Sequence, residues 1–248
     1  MTEALFRDDA TRLTCEATVV AVDAEGIVLD RTVFYPTGGG QAGDAGTLQL
    51  GADGSSVAIV DTRKDLHDPS LIRHLVAPES DPALLAALTP GTPVTVQVDA
   101  LRRRAHMRFH TATHLLCALV PHPVNGCSIT ERYARLDFHM TGPLDKQALT
   151  DGLARLVAAA HPVRARWIDD AELDARPELV RSMSVSPPRG SGRVRLLEID
   201  GVDVQPCGGT HVANTAEVGA VVVTKIEKKS ASTRRVVLGF ADPPEDPA

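Results

Sequence analysis

The chain has 248 residues, with 26 Lys and Arg against 32 Asp and Glu, for a formal net charge of −6. At roughly 150 residues per domain that length fits one or two domains with a real core. Hydrophobic residues make up 43%, yet the longest apolar runs fall well short of the ~20 residues of a membrane span, which excludes an integral membrane protein. The N-terminal MTEALFRDDATRL carries acids where a secretory signal has basic residues, and no apolar stretch follows it, so a cytoplasmic protein is expected. Cys15, Cys117, Cys127 and Cys207 include no C-x-x-C pair, which argues against a disulfide scaffold or a four-thiolate zinc finger.

The net charge conceals an asymmetry. Residues 1–100 have a balance of −9, residues 101–240 one of +6, and the final DPPEDPA the remaining −3. A polyanion is repelled by the first part and drawn to the second.

In chain order, the first hundred residues alternate β-branched runs with turn signals: CEATVVAV, DAEG, IVLDRTVF, SSVAIVDT and TPVTVQVDA. They predict a small barrel or sandwich. YPTGGGQAGDAG is too glycine-rich for an element interior and reads as a loop, and residues 77–91 hold at most a short helix. From Asp99, DALRRRAHMRFHTATHLLCALV runs without Pro or Gly to Pro121 and predicts a long helix. ARLDFHM is then a strand, KQALTDGLARLVAAAH an amphipathic helix, VRARWI a strand, and DDAELDAR and PELVRS two short helices. PPRGSG reads as a flexible loop. RVRLLEI and VDVQP flank Asp200-Gly201, a two-residue hairpin signal. VGAVVVTKIE and RRVVLGF close an antiparallel sheet. The expected fold class is α+β: a β-barrel-like domain over 1–98, an α+β domain with an antiparallel sheet and the long helix over 99–240, and a disordered tail over 241–248.

His110 and His114 lie four apart on the long helix, one turn apart on one face, at metal-chelating spacing. Cys207 and His211 occur as CGGTH, whose glycines permit a tight bend that brings a thiolate and an imidazole to one point. Three nitrogens and one sulfur match the preferences of zinc. His106 and Cys117 fall on nearly the same helix face, so helix geometry alone does not choose among His106, His110, His114 and Cys117. Cys15 and Cys127 read as small buried hydrophobes. Thr111 stands where a zincin peptidase needs its glutamate, and the deaminase signature lacks its second cysteine and its glutamate. Both chemistries are disfavoured.

HTATHLL (His110 to Leu116), DVQPCGGTHV (Asp203 to Val212) and, ahead of both, FYPTGGGQ (Phe34 to Gln41) are three separated motifs. Together they resemble the AlaX family of free-standing alanyl-tRNA editing proteins, a module also embedded in alanyl-tRNA synthetase, and most closely its medium-length subtype. No stretch is expected to resemble the synthetase's aminoacylation or anticodon-region domains. The resemblance implies hydrolysis of mischarged tRNA(Ala), chiefly Ser-tRNA(Ala) with Gly-tRNA(Ala) as a second substrate, at a Zn2+ site on His110, His114, Cys207 and His211. It implies catalytic roles for Thr37, whose hydroxyl distinguishes serine from alanine, and for Gln41, with Gly38, Gly39 and Gly40 facing the substrate. For the tRNA acceptor end, the basic runs supply Arg102, Arg103, Arg104, Arg108, Lys228 and Lys229. Two other readings fit the residues: a non-catalytic RNA-binding adaptor with a structural zinc, and a zinc hydrolase of another small ester.

Overall fold

The structure is a computed structural model and describes residues 1–51, 54–180, 183 and 192–241. It divides into two compact units, Met1–Gly38 with Ala42–Arg104, and Gly39–Gln41 with Ala105–Ala248. The first unit carries β1 (Glu3–Ala4), β2 (Thr14–Asp23), β3 (Gly26–Leu29), β4 (Arg31–Thr32), β5 (Gly46–Leu50), β6 (Ser55–Lys64), β7 (Ile72–Val76), α1 (Pro82–Ala87) and β8 (Pro93–Val98). Six of these strands close into a barrel in the order β2, β3, β7, β6, β5, β8. Closure follows from the alternation in the sequence: Cys15, Ala17 and Val19 of β2 and Val94, Val96 and Val98 of β8 point inward, with Leu48, Val57 and Ile59, into one apolar core.

The helix α2 (Ala100–Leu119) follows, and the division between the units falls within it. Asp99 caps it by accepting from the N–H groups of Leu101 and Arg102, and Pro121 ends it. The second unit continues with β9 (Val124–Ile129), β10 (Ala134–His139), α3 (Lys146–Ala158), β11 (Val163–Asp169), α4 (Asp170–Asp174), β12 (Arg193–Ile199), β13 (Asp203–Pro206), β14 (Val221–Ser230) and β15 (Thr233–Phe240). One antiparallel sheet runs β14, β15, β10, β9, and a second runs β11, β12, β13. Phe109 and Leu116 of α2 and Leu136, Phe138, Val236 and Leu238 of the four-stranded sheet are buried, and Phe109 stacks on Phe240 with ring centroids 4.0 Å apart. The second sheet has its own core of Ile168, Leu173, Leu179, Val194 and Leu196.

Three expectations change. Among the described residues of PELVRS, Pro177–Leu179 form a 3-10 turn and no α-helix, because so short a stretch with a proline at its start is too small to nucleate one. VNGCSI, which the sequence reading assigns to no element, forms β9. The Asp200-Gly201 hairpin closes with three residues: Ile199 pairs with Asp203, and Gly201 takes φ +68°. Of PPRGSG, residues 187–191 lie outside the described residues, as does the tail over 242–248.

Candidate metal centre

α2 and the loop after β13 build the site. His110 and His114 stand one turn apart on α2, and Cys207 and His211 bracket the two glycines of CGGTH. All four donor atoms lie within 4.8 Å of one another. Cys207 Sγ is 3.4 Å from His110 Nε2 and 3.2 Å from His211 Nε2. Among the described residues this is the one such cluster. His106 and Cys117, equally placed by helix geometry, stay outside it, with His106 Nε2 3.8 Å from Glu131 Oε2.

The partner of each ring's Nδ1 fixes its tautomer. Gln41 Oε1 accepts from Thr210 N–H at 3.1 Å, which settles the orientation of the amide, so at 2.8 Å His110 Nδ1 must donate to it. His114 Nδ1 donates to the Asp203 carboxylate at 2.8 Å, and Gln205 Nε2 donates to the same oxygen. Thr111 gives its proton to Met107 O, so its oxygen is left to accept from His211 Nδ1 at 3.3 Å. All three rings therefore carry hydrogen on Nδ1 and turn Nε2 toward Sγ, the arrangement that orients imidazoles for a metal ion once Nε2 is deprotonated.

The electrostatics agree. Burial alone would raise the Cys207 thiol, but the His110 and His211 imidazoles beside it hold its pKa well below the ordinary value. Burial, together with His110, holds His211 well below its own. His114 is opposed by burial but pushed up to about 10 by Asp203 and Cys207. A thiolate, a neutral imidazole and an imidazole whose affinity for a cation is raised by a carboxylate form a donor set that can hold a tetrahedral metal ion in exchange for a proton. Cys127 is different. Burial and the nearby Cys207 push it up to about 12, so it remains a thiol.

Two glycines make the approach possible. A Cβ on Gly209 would lie 2.2 Å from His110 Cε1, so the loop can lie flush on the imidazole only there. Gly40 has φ +86°, and a Cβ on it would meet Cys127 Sγ at 2.7 Å. Its carbonyl accepts from Ile129 N–H at 2.7 Å, which brings Gln41 beside β9 and under His110. The loop is also held by Arg195, which donates to the carbonyls of Cys207 and Gly209 at 2.9 and 3.2 Å.

The other expected site residues divide. Gln41 is fully buried with both ends of its amide occupied, its Nε2 donating to Thr210 Oγ1, and its Oε1 positions His110. Thr37 is exposed in the first unit, where its hydroxyl accepts from Gly43 N–H at 2.9 Å and donates to Asp61 Oδ1 at 3.4 Å. Gly38 O accepts from the Tyr35 hydroxyl, and Gly39 is exposed. Arg103 is no RNA contact. It is 1% exposed and paired with the buried Asp44, and it also donates to Val33 O. Arg102 donates to Gly43 O, while Arg108 donates to Val218 O with its guanidinium 3.8 Å over the Phe240 ring. Arg104, Lys228 and Lys229 are exposed. Sequence reasoning misses Asp203, Gln205, Thr111, Thr210 and Arg195. Asp203, Gln205 and Cys207 alternate at period two, a strand signal that puts all three on one face and could have found the first two. Thr111 lies inside HTATHLL, but nothing in the local sequence marks its hydroxyl as a support for His211, and nothing marks Arg195.

Residues 194–237 match the family model described as the threonyl and alanyl tRNA synthetase second additional domain. Residues 4–102 match the one described as tRNA synthetases class II (A), so similarity to a synthetase model reaches through the first unit. Fold and donor cluster thus define a synthetase-type accessory module with a His/Cys metal-binding group. The alanyl-tRNA editing protein AlaX-M of Methanosarcina barkeri is 34% identical over 249 residues, covering 98% of this chain and 100% of the relative. That of Methanosarcina mazei is 32% identical, covering 98% of each. The alanine–tRNA ligase of Metallosphaera sedula is 35% identical over 92% of this chain but 25% of the ligase. The chain belongs to the AlaX family of alanyl-tRNA editing proteins.

Proposed function

We propose that this chain is a trans-acting hydrolase that deacylates mischarged tRNA(Ala) in the cytoplasm, chiefly Ser-tRNA(Ala) and also Gly-tRNA(Ala), with zinc on His110, His114, Cys207 and His211. The names of its full-length relatives support the substrate. The convergence of three Nε2 atoms and one Sγ, with every Nδ1 engaged elsewhere, carries the metal assignment. Tetrahedral zinc with ordinary Zn–N and Zn–S bonds separates N from S by about 3.5 Å, close to the contacts Cys207 makes. When bound there, zinc would supply one of three chemistries: Lewis-acid polarisation of the ester carbonyl, a bound water of lowered pKa, or a hold on the substrate's α-amine.

The chain's own residues do the rest. Gln41, Asp203 and Thr111 fix the three imidazoles, Arg195 anchors the carbonyls of the cysteine loop, and the half-buried Cys207 leaves one side of the cluster approachable. An aminoacyl ester is activated relative to an amide, so positioning suffices without a dedicated carboxylate base. Discrimination requires a second sieve, because a pocket that fits alanine excludes neither glycine nor, by much, serine. With one lone pair and its proton engaged, the Thr37 hydroxyl keeps a second lone pair for the hydroxyl of a seryl ester. Removing it by Thr37→Val is expected to cost about 1 kcal/mol on the seryl substrate and nothing on the alanyl one. Equal losses on both substrates would make Thr37 a support of its loop.

Four protein donors are also the pattern of a structural zinc, which favours the adaptor as the second reading. One assay separates them: purified protein with Ser-, Gly- and Ala-charged tRNA(Ala), with and without chelator. Chelator-sensitive release of serine is expected. Zinc-loaded protein that deacylates none of the three would leave the adaptor.

A further inference from the structure

Trp167 is the single tryptophan of the chain, and it is 41% exposed on β11. The strand register places it directly opposite Arg195 of β12. Arg195 in turn faces Cys207, since the pairing of Leu196 with Pro206 continues by one residue and Cys207 N–H donates to Arg195 O at 3.0 Å. Side chains of one cross-strand row share a sheet face. Trp167, Arg195 and Cys207 therefore form a line that ends at a metal ligand, with Leu197 and Gln205 in a neighbouring row on that face and Asp203 in the one after. Two strand spacings, about 10 Å, separate the ends of the line.

On the opposite face of this sheet Ile168, Val194 and Leu196 pack with Leu173 of α4. The indole is thus outside that core, at the exposed end of the face that carries Cys207, whose other end, at Leu197, Gln205 and Asp203, is buried. Arg193, exposed and one row further along, lies with its guanidinium carbon 5.9 Å from the indole centroid, and its cross-strand neighbour is Asp169. Asp169 uses its carboxylate to cap α4 by accepting from Glu172 N–H. A part-exposed indole with one arginine over its ring and a second in its own cross-strand row is the combination that holds an unpaired nucleotide, by stacking on the aromatic ring and by attraction of the guanidinium groups to the backbone phosphates.

We propose that Trp167 is the stacking platform for the 3′-terminal base of the RNA substrate, with Arg193 and Arg195 as its flanking cations. The inference deepens the deacylase reading and rests on it. The ester is carried on the ribose of that same terminal nucleotide, so a base held on Trp167 directs the ester along the row toward Cys207. The contact is blind to the identity of the amino acid, and it serves seryl and glycyl esters alike.

Because no other tryptophan is present, intrinsic fluorescence reads the contact directly. Titration of the zinc-loaded protein with uncharged tRNA(Ala) is expected to quench the Trp167 emission, and the same tRNA trimmed of its unpaired 3′ nucleotides is expected to leave it unchanged. In deacylation of Ser-tRNA(Ala), Trp167→Ala should raise KM about tenfold with kcat little altered, and Trp167→Phe, which keeps an aromatic face, should restore KM most of the way. Metal content is measured alongside to show that both variants keep the site. No quenching, or equal quenching by the trimmed tRNA, overturns the proposal, as does a fall in kcat at unchanged KM. The two readings fail separately: wild-type protein that deacylates nothing removes the deacylase, whereas deacylation without end-dependent quenching removes only the platform.

Discussion

At the scale of single residues, the site rests on a division between atoms that face inward and atoms that hold them. Cys207→Ala and His110→Ala each remove a donor while the basic surface stays in place, so both should abolish deacylation with little change in tRNA affinity. Metal analysis is expected to show about one zinc per wild-type chain and depletion in both variants. Asp203 acts through His114, whose ring it fixes and whose basicity it raises. Asp203→Asn should lower zinc affinity about ten- to a hundredfold in competition with a chelator, at unchanged fold. An unaltered affinity would show that α2 packing alone orients the ring. The same scale explains why Arg103 misleads. Among three consecutive arginines nothing distinguishes the one that turns inward, and only the buried Asp44 contributed by the glycine-rich loop decides it.

At the scale of elements, the barrel carries a buried titratable group. His74 of β7 is fully buried, with Nδ1 donating to Ile27 O of β3 at 3.0 Å and Nε2 accepting from the Thr32 hydroxyl of β4 at 2.8 Å. Burial pushes its pKa down to about 4 from the ordinary 6.5. The unfolded chain therefore takes up a proton first as pH falls, and folding stability declines from about pH 6.5 until the folded pKa is passed. The shift corresponds to roughly 3 kcal/mol, with the decline complete below about pH 4. Denaturant unfolding between about pH 7 and pH 4 checks this. His74→Phe, which cannot charge, should start less stable because Ile27 O and Thr32 are left without their partner, and should show a flatter slope over that range.

Strands and helices differ in how far they can be read. β2 and β8 are legible because their apolar residues alternate, and α2 because twenty residues pass without Pro or Gly. β9 is not, since it is a strand by virtue of its neighbour: β10 pairs along it, and Gly126 sits where a Cβ would be 2.9 Å from Asp137 Oδ2.

At the scale of the whole molecule, charge is partitioned along the sequence, and the basic part contains the metal cluster. Neutralising Lys228 and Lys229, both exposed on β14, should weaken tRNA binding and flatten its salt dependence by about one unit of log–log slope or less for each phosphate that either lysine neutralises. Binding measured across a salt series reports this, and an unchanged slope would place the RNA elsewhere. The experiment is independent of catalysis, because neither lysine belongs to the donor cluster or its supports.

The sequence by itself determined the parts whose signal is local: the barrel from alternation, the long helix from an unbroken period, and the four residues of the His/Cys cluster from spacing joined to a family pattern. Tertiary structure decided what depends on partners distant in the chain. Cys207 and His110 are 97 residues apart, and Gln41 and Thr210 are 169 apart. A histidine's tautomer, an arginine's burial and a glutamine's role as support are each set by what lies across the fold. A hydrogen bond to a residue a hundred positions away leaves no period, propensity or spacing in the local sequence.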